Sequence, residues 1–219
     1  VKQFTPAVTK PGERSRLRLT FYNGSSQPAG NLSVIDNLPA GLTIPAGPNP
    51  ATTCAGATVS APSAIQVRVN GGGLAAAAGG VAASCYAEID VTAAAEGIYV
   101  NTIAAGALTA TVGGGTVTNA DPATATLRVK QPVVIHKAIG GFTLDVGNPG
   151  GFATGEASRT PGAAAPLVIR LENPNADNLT EATLTDNLPA GLVVATAPAA
   201  ATTCVGGVLV ADPSATSIR

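Results

Sequence analysis

Asp36-Asn37-Leu38-Pro39-Ala40-Gly41-Leu42 recurs letter for letter at Asp186 to Leu192, 150 positions later (186 against 36). Other landmarks keep that offset: Thr52-Thr53-Cys54 returns as Thr202-Thr203-Cys204, Pro11-Gly12 as Pro161-Gly162, and Asn23 as Asn173. Leu17, Leu19 and Phe21 become Leu167, Ile169 and Leu171. A repeat at fixed offset means two copies of one module, and it constrains the fold before any single element does. The heptad reads as a strand end turning a corner. Asp36 and Asn37 bond their own backbone, Pro39 fixes φ and withholds a donor, and Gly41 permits positive φ. Leu38 and Leu42 anchor the turn on a core; Asp186, Leu188, Pro189, Gly191 and Leu192 repeat the scheme. Nothing in the corner reads as reactive.

The segments between landmarks have the period of strands. Arg14 to Tyr22 sets Leu17, Leu19 and Phe21 on one face and Arg16, Arg18, Thr20 and Tyr22 on the other. Ala83 to Thr92 sets Cys85, Ala87, Ile89 and Val91 against Tyr86, Glu88 and Asp90. Further strands are expected at Leu32–Ile35, Ala57–Ala61, Ile65–Val69, Tyr99–Ala105 and Ala123–Lys130, with a hairpin through Gly113-Gly114-Gly115. Asn70 to Gly80 reads as a Gly/Ala loop. Short strands with regular turn signals, and no helical window of useful length, predict all-β, immunoglobulin-like antiparallel sandwiches in tandem. The first module spans 1–130 and the second 131–219, the latter incomplete and carrying a Gly-rich insertion at 140–160 with Phe142, Leu144, Val146 and Phe152. Gln131-Pro132 joins them without a flexible linker.

Composition narrows the function. Aromatic residues are 3% and charged residues 11%, so the core is thin and built from Val, Leu, Ile and Ala. A net charge of −1 gives no field to recruit nucleic acid or anionic lipid. No apolar run is long enough to span a membrane. The chain has no Met, so Val1 is not a translation start, and the chain is expected to be a piece of something longer.

Three cysteines carry the most information. Cys54 and Cys85 fall in one module, one at a loop margin and one on an inward strand face, and are expected to form a disulfide. The alternatives lack support: a metal site has no His or second close Cys, and a catalytic thiol has no His beside it. Cys204 repeats Cys54, and its partner falls past Arg219, so it is unpaired in this chain or paired outside it. Such cysteines suit an oxidising compartment and secretion.

The remaining constellations have plain readings. His136 is the only histidine, which leaves no Ser-His-Asp triad and no His-based metal centre. Gly71-Gly72-Gly73 and Gly113-Gly114-Gly115 lack the Lys-Ser/Thr and helix of a phosphate cradle and read as loop tips. Arg14, Arg16 and Arg18 face Glu88 and Asp90 as cross-strand ion pairs; a binding patch is the sharper reading, but the second copy has Pro166, Val168 and Arg170 there. Asp145, Asp177 and Asp186 are the carboxylates that calcium between modules would draw on, without the usual dense loop. No cofactor and no enzymatic activity are expected.

Lys2 to Phe4, Pro11-Gly12, Leu17 to Asn23, Asp36 to Leu42, Thr52 to Cys54 and Cys85 together resemble the bacterial surface repeat filed as "domain of unknown function eleven" and its close relatives. The resemblance implies immunoglobulin-like sandwiches strung on large secreted or surface-anchored proteins, without catalysis. Some surface sandwiches carry a Lys–Asn isopeptide bond between first and last strands, beside a buried carboxylate. Lys2 and Lys137 lie in the first strands of their modules and Asn119 precedes the last strand, so Lys2 and Asn119 are the candidate pair.

The expected function is an extracellular structural protein of a bacterial surface, a stalk or filament whose partners are neighbouring repeats or identical subunits. A module cut at Arg219 leaves Leu167, Ile169, Leu171, Leu184 and Leu188 facing water, to be covered by following strands or by a neighbouring copy lending its own. The alternative is an adhesin recognising a host, glycan or cell-surface ligand.

Overall fold

The computed structural model describes residues 1–139 and 160–219 and divides the chain into two units, Val1–Pro132 and Val133–Arg219. The insertion, with Phe142, Leu144, Asp145, Val146 and Phe152, lies outside the described residues, apart from its last residue, Thr160. The fold is all-β and almost wholly antiparallel.

The first unit has three sheets. One joins β1 (Lys2–Thr5), β3 (Arg14–Asn23), β9 (Ala83–Ala93) and β5 (Leu42–Thr43) in that order, with β6 (Ala51–Thr52) also paired to β9. A second sets β13 (Ala123–Val129) between β10 (Gly97–Ile103) and β2 (Val8–Thr9), the β2–β13 pair being parallel. The third runs β12 (Gly115–Thr118), β11 (Thr109–Val112), β4 (Ala29–Asn37), β8 (Gln66–Gly73), β7 (Ala55–Ser63).

The β3–β9 pair is the spine, and its register explains the core. Leu17 lies opposite Ile89, Leu19 opposite Ala87 and Phe21 opposite Cys85. All six side chains are buried, as is Val91. On the other face Arg16 meets Asp90 and Arg18 meets Glu88. Each large aliphatic buried here stabilises the unit by about 1.5–3 kcal/mol. Leu32 and Val34 from β4, Val67 and Val69 from β8, and Leu127 and Val129 from β13 complete the core.

Turn chemistry explains the connections. Gly113 (φ 57) and Gly114 (φ 82) form the two-residue loop between β11 and β12, the positive-φ pair that suits strand twist. Gly41 (φ 87) turns the corner after β4 under Tyr99. Gly71 to Gly73 are no loop tip: they extend β8, with Gly71 opposite Ala57 and Gly73 opposite Ala55. The reason is contact. A Cβ on Gly72 would lie 2.6 Å from that of Ala57, so glycine alone lets β7 and β8 approach there.

In the second unit β14 (Val134–Ile139) pairs with β15 (Leu167–Glu172), and β16 (Asp186–Asn187) with β17 (Ser217–Ile218). It repeats the first in detail. Lys137 lies opposite Ile169 as Lys2 lies opposite Leu19. Asn173 Nδ2 donates to the Asp177 carbonyl at 2.8 Å, as Asn23 Nδ2 does to that of Gln27. The Cys204 amide donates to Thr202 Oγ1 at 3.1 Å, and that of Cys54 to Thr52 Oγ1 at 3.0 Å. Burial does not repeat. Leu167, Ile169, Leu171, Leu184 and Leu188 are half-buried rather than facing water outright, while Leu192 is exposed where Leu42 is fully covered.

Candidate functional site

Among the inward positions of the first sandwich that hold polar residues where the alternation calls for apolar ones, three meet one another. Lys2 shares its strand face with Phe4, Asp36 with Leu32 and Val34, and Asn101 with Tyr99 and Ile103. β1, β4 and β10 belong to three different sheets, so the fold brings these residues together from all sides of the core. Lys2 Nζ donates to Asp36 Oδ1 at 2.7 Å, and Asn101 Nδ2 donates to Asp36 Oδ2 at 3.1 Å. The Lys2 and Asp36 side chains have no solvent-accessible surface, and Asn101 is 1% exposed.

An ion pair so placed loses hydration worth several kcal/mol per ion, which the mutual attraction only partly offsets. Burial pushes the Lys2 amine below its ordinary value, opposed by the charge and hydrogen bond of Asp36. Asn101 Oδ1 is buried and has no hydrogen-bond partner among the described residues. An orphaned carbonyl oxygen costs about 1–3 kcal/mol, so the site is not optimised for stability as it stands. The corner residue Asp36 therefore turns its two carboxylate oxygens to Lys2 and Asn101 rather than to its own backbone. It is the centre of the cluster. Asn37, beside it, accepts from Gln66 Nε2 at the surface.

Asn119 is not part of the cluster. Its Nδ2 donates to the carbonyls of Ala104 and Asp121, and its Oδ1 accepts from the Leu108 amide at 2.8 Å. A short carboxamide beside a turn serves its own backbone first. Asn101, rather than Asn119, lies beside Asp36, and the available signal was an Asn in phase with Tyr99 and Ile103.

Half of the cluster recurs in the second unit. Lys137 Nζ lies 2.7 Å from Asp186 Oδ1, with the lysine side chain 37% and the aspartate 12% exposed. Asp186 Oδ2, the oxygen matching the one that Asn101 holds, is buried without a partner among the described residues.

The other singled-out residues lie outside the Lys2–Asp36–Asn101 cluster. Cys54 and Cys85 are joined, with Cα atoms 4.9 Å apart, linking the start of β7 to β9; Cys204 is free and exposed. Arg14 and Arg16 both reach Asp90, and Arg16 and Arg18 both reach Glu88, at 2.7–3.1 Å. The Arg18 guanidinium also lies 4.1 Å from the centre of the Tyr86 ring. Burial alone would raise the Glu88 and Asp90 carboxyls. Arg18 and Arg16 about Glu88, and Asn49, Arg16 and Arg14 about Asp90, outweigh it and hold both below the usual range. The ladder is thus occupied internally. His136 is half-buried near Glu172. Among the described residues no three His, Cys, Asp or Glu gather as metal ligands, and no helix is long and apolar enough to cross a membrane. An open cleft of about 680 Å³ lies between β3, β4 and the β11–β12 hairpin, lined by Leu32, Val34, Leu108, Val112 and Val117.

The family model described as "Domain of unknown function (DUF7933)" matches residues 1–129 and 155–219. This chain belongs to that family. The match covers both copies and passes over most of the insertion, so the DUF7933 pattern is the repeat itself. It is a different domain of unknown function from the one the corner motif resembles. No curated protein matches the DUF7933 chain. Among solved structures it is similar to a cohesin module from a Clostridium perfringens family 33 glycoside hydrolase, at 11% identity and TM-score 0.40, covering 56% of this chain and 90% of that one. It is also similar to the collagen-binding domain of a Staphylococcus aureus adhesin, at 14% identity and TM-score 0.36, covering 57% and 93%. The collagen adhesin of S. aureus gives 11% and 0.37, covering 78% of this chain and 51% of that one.

Proposed function

We propose that this DUF7933 chain is a segment of an extracellular bacterial surface protein in which tandem sandwiches form a stalk or fibre, without catalysis. The supporting observation is where the chemistry of the first module is placed. Its only fully buried ions and its disulfide tie strands to one another, and its most concentrated surface charge is spent on cross-strand pairs. A disulfide suits an oxidising, extracellular setting. The half-covered aliphatic face of the second unit supports further strands beside it, from the same polypeptide or a neighbouring copy.

A second reading rests on the cleft. Its apolar lining suits an adhesin that grips an apolar segment of a cell-surface ligand. Electron microscopy of the native cell surface with an antibody to the first module separates the two. Label spaced along extended fibres supports the stalk; label confined to tips supports the adhesin and overturns the stalk.

A further inference from the structure

We propose that Lys2 and Asn101 are a self-processing pair that closes an intramolecular isopeptide bond, with Asp36 as the proton-transferring residue. The inference departs from the simpler expectation of Lys2 with Asn119, and it stands independently of the stalk or adhesin reading.

The argument begins with the carboxyl. Asp36 holds the attacking nitrogen on one oxygen and the leaving nitrogen on the other: Lys2 Nζ at 2.7 Å and Asn101 Nδ2 at 3.1 Å. A carboxyl gripping both nitrogens is placed to take a proton from the first and deliver it to the second. Proton transfer from the Lys2 ammonium to Asp36 creates a neutral amine and a neutral acid, which removes two buried charges at once. Burial already favours the neutral amine. The Nζ lone pair then attacks Cγ of Asn101, and negative charge develops on Oδ1, the oxygen with no partner in the present arrangement. Asp36 delivers its acid proton to Nδ2 and takes up the second Nζ proton in its place, the Cγ–Nδ2 bond breaks, and ammonia leaves. Amine plus carboxamide gives amide plus ammonia, so no oxidant, reductant or cofactor is required. Asp36 ends as the neutral acid, beside a neutral amide, so no buried charge remains in the product.

The setting supplies what the reaction lacks in water. The three groups are held by strands of three sheets, so the encounter is intramolecular and pre-oriented. With all three side chains shut from solvent, water does not compete for the carbonyl. The product links β1 to β10, two strands that share no sheet.

The second unit provides an internal control. Lys137 and Asp186 repeat the amine and the carboxylate at the same 2.7 Å, but no described carboxamide meets Asp186 Oδ2. Lys137 is expected to remain a free amine.

Mass spectrometry of the purified chain, reduced and denatured, is the test. The expected mass is the sequence mass less one ammonia. Tryptic mapping should give a branched peptide joining the piece with Lys2 to the piece with Asn101, while Lys137 accepts an acetylating reagent. The full sequence mass, with Lys2 acetylated as readily as Lys137, overturns the proposal, and so does a branch at Asn119. Asn101→Ala and Asp36→Ala should each restore the full mass, with hydrogen-exchange protection of β3 and β9 reporting that the variant still folds. Ammonia loss at Lys2 in a folded Asp36→Ala variant would overturn the role given to the carboxyl. The wild-type mass is decisive even where a variant fails to fold.

Discussion

Lys137 lies 2.7 Å from Asp186, the same separation as Lys2 from Asp36, yet only the first pair is sealed from solvent. Identical geometry in two dielectric settings predicts unequal energies. Asp36→Ala leaves an ammonium buried without a counter-ion and should cost at least about 3–5 kcal/mol. Asp186→Ala, with Lys137 partly hydrated, should cost under about 1 kcal/mol. Tyr22, Tyr86 and Tyr99 all belong to the first unit, so tyrosine fluorescence during urea unfolding reads the first value. Hydrogen exchange in β14 and β15 reads the second. Equal costs would contradict the burial argument.

The Cys54–Cys85 bond closes a separation of 31 residues. Constraint of the unfolded chain should make the double Cys54→Ala, Cys85→Ala variant about 3–4 kcal/mol less stable. The loss should appear as a lower urea midpoint of the tyrosine signal. No shift would mean that the unfolded state is already confined.

Acid should weaken the first module late. Glu88 and Asp90 are held below the ordinary carboxylate values by the arginines and Asn49. A carboxyl whose folded value is depressed contributes stability that is present above its unfolded value and lost as pH falls through the folded one. The decline from this ladder should therefore fall below roughly pH 4 and shrink in Glu88→Gln. Urea midpoints measured against pH would show it. A decline centred near neutrality, unchanged in Glu88→Gln, would remove the ladder from the account.

The two copies of the corner motif separate strain from contact. Gly41 (φ 87) and Gly191 (φ 91) both turn left-handed, but a Cβ on Gly41 would lie 2.8 Å from Tyr99 Cε1 and one on Gly191 would meet nothing within 4 Å. Gly191→Ala should cost about 1–2 kcal/mol from backbone strain alone. Gly41→Ala adds overpacking, for a total of about 2–4 kcal/mol. Thermal unfolding of the two variants checks the order, and a reversed order would refute it.

Much of the fold could be read from alternation. Leu17, Leu19 and Phe21 fall on one face because a strand has period two, and the opposed charges of β3 and β9 follow from the same phase. Glycine was less transparent: Gly71 to Gly73 carry turn-like chemistry yet serve a close strand approach, a three-dimensional fact that local sequence does not display. The site was half legible. Lys2 stood out as a lysine in a first strand, but Asp36 looked like an ordinary corner residue because Asp before a turn so often bonds its own backbone. Asn119 drew notice by its place before the last strand. Asn101 carried the stronger signal, a polar side chain in phase with Tyr99 and Ile103, and only the meeting of three sheets shows what it faces.

Single-molecule stretching of the whole chain from its two ends, under oxidising conditions, tests the central claim that the first module is covalently closed. With Lys2 joined to Asn101, load passes through the new bond and the residues between them cannot extend. Of these, roughly 68 lie outside the segment already locked by the disulfide, which at about 3.5 Å each amounts to roughly 240 Å of missing length. The account predicts a fully stretched wild-type chain shorter by that amount than its remaining residues allow, with the length recovered in Asn101→Ala. A wild-type chain that extends to the full length outside the disulfide loop would contradict it.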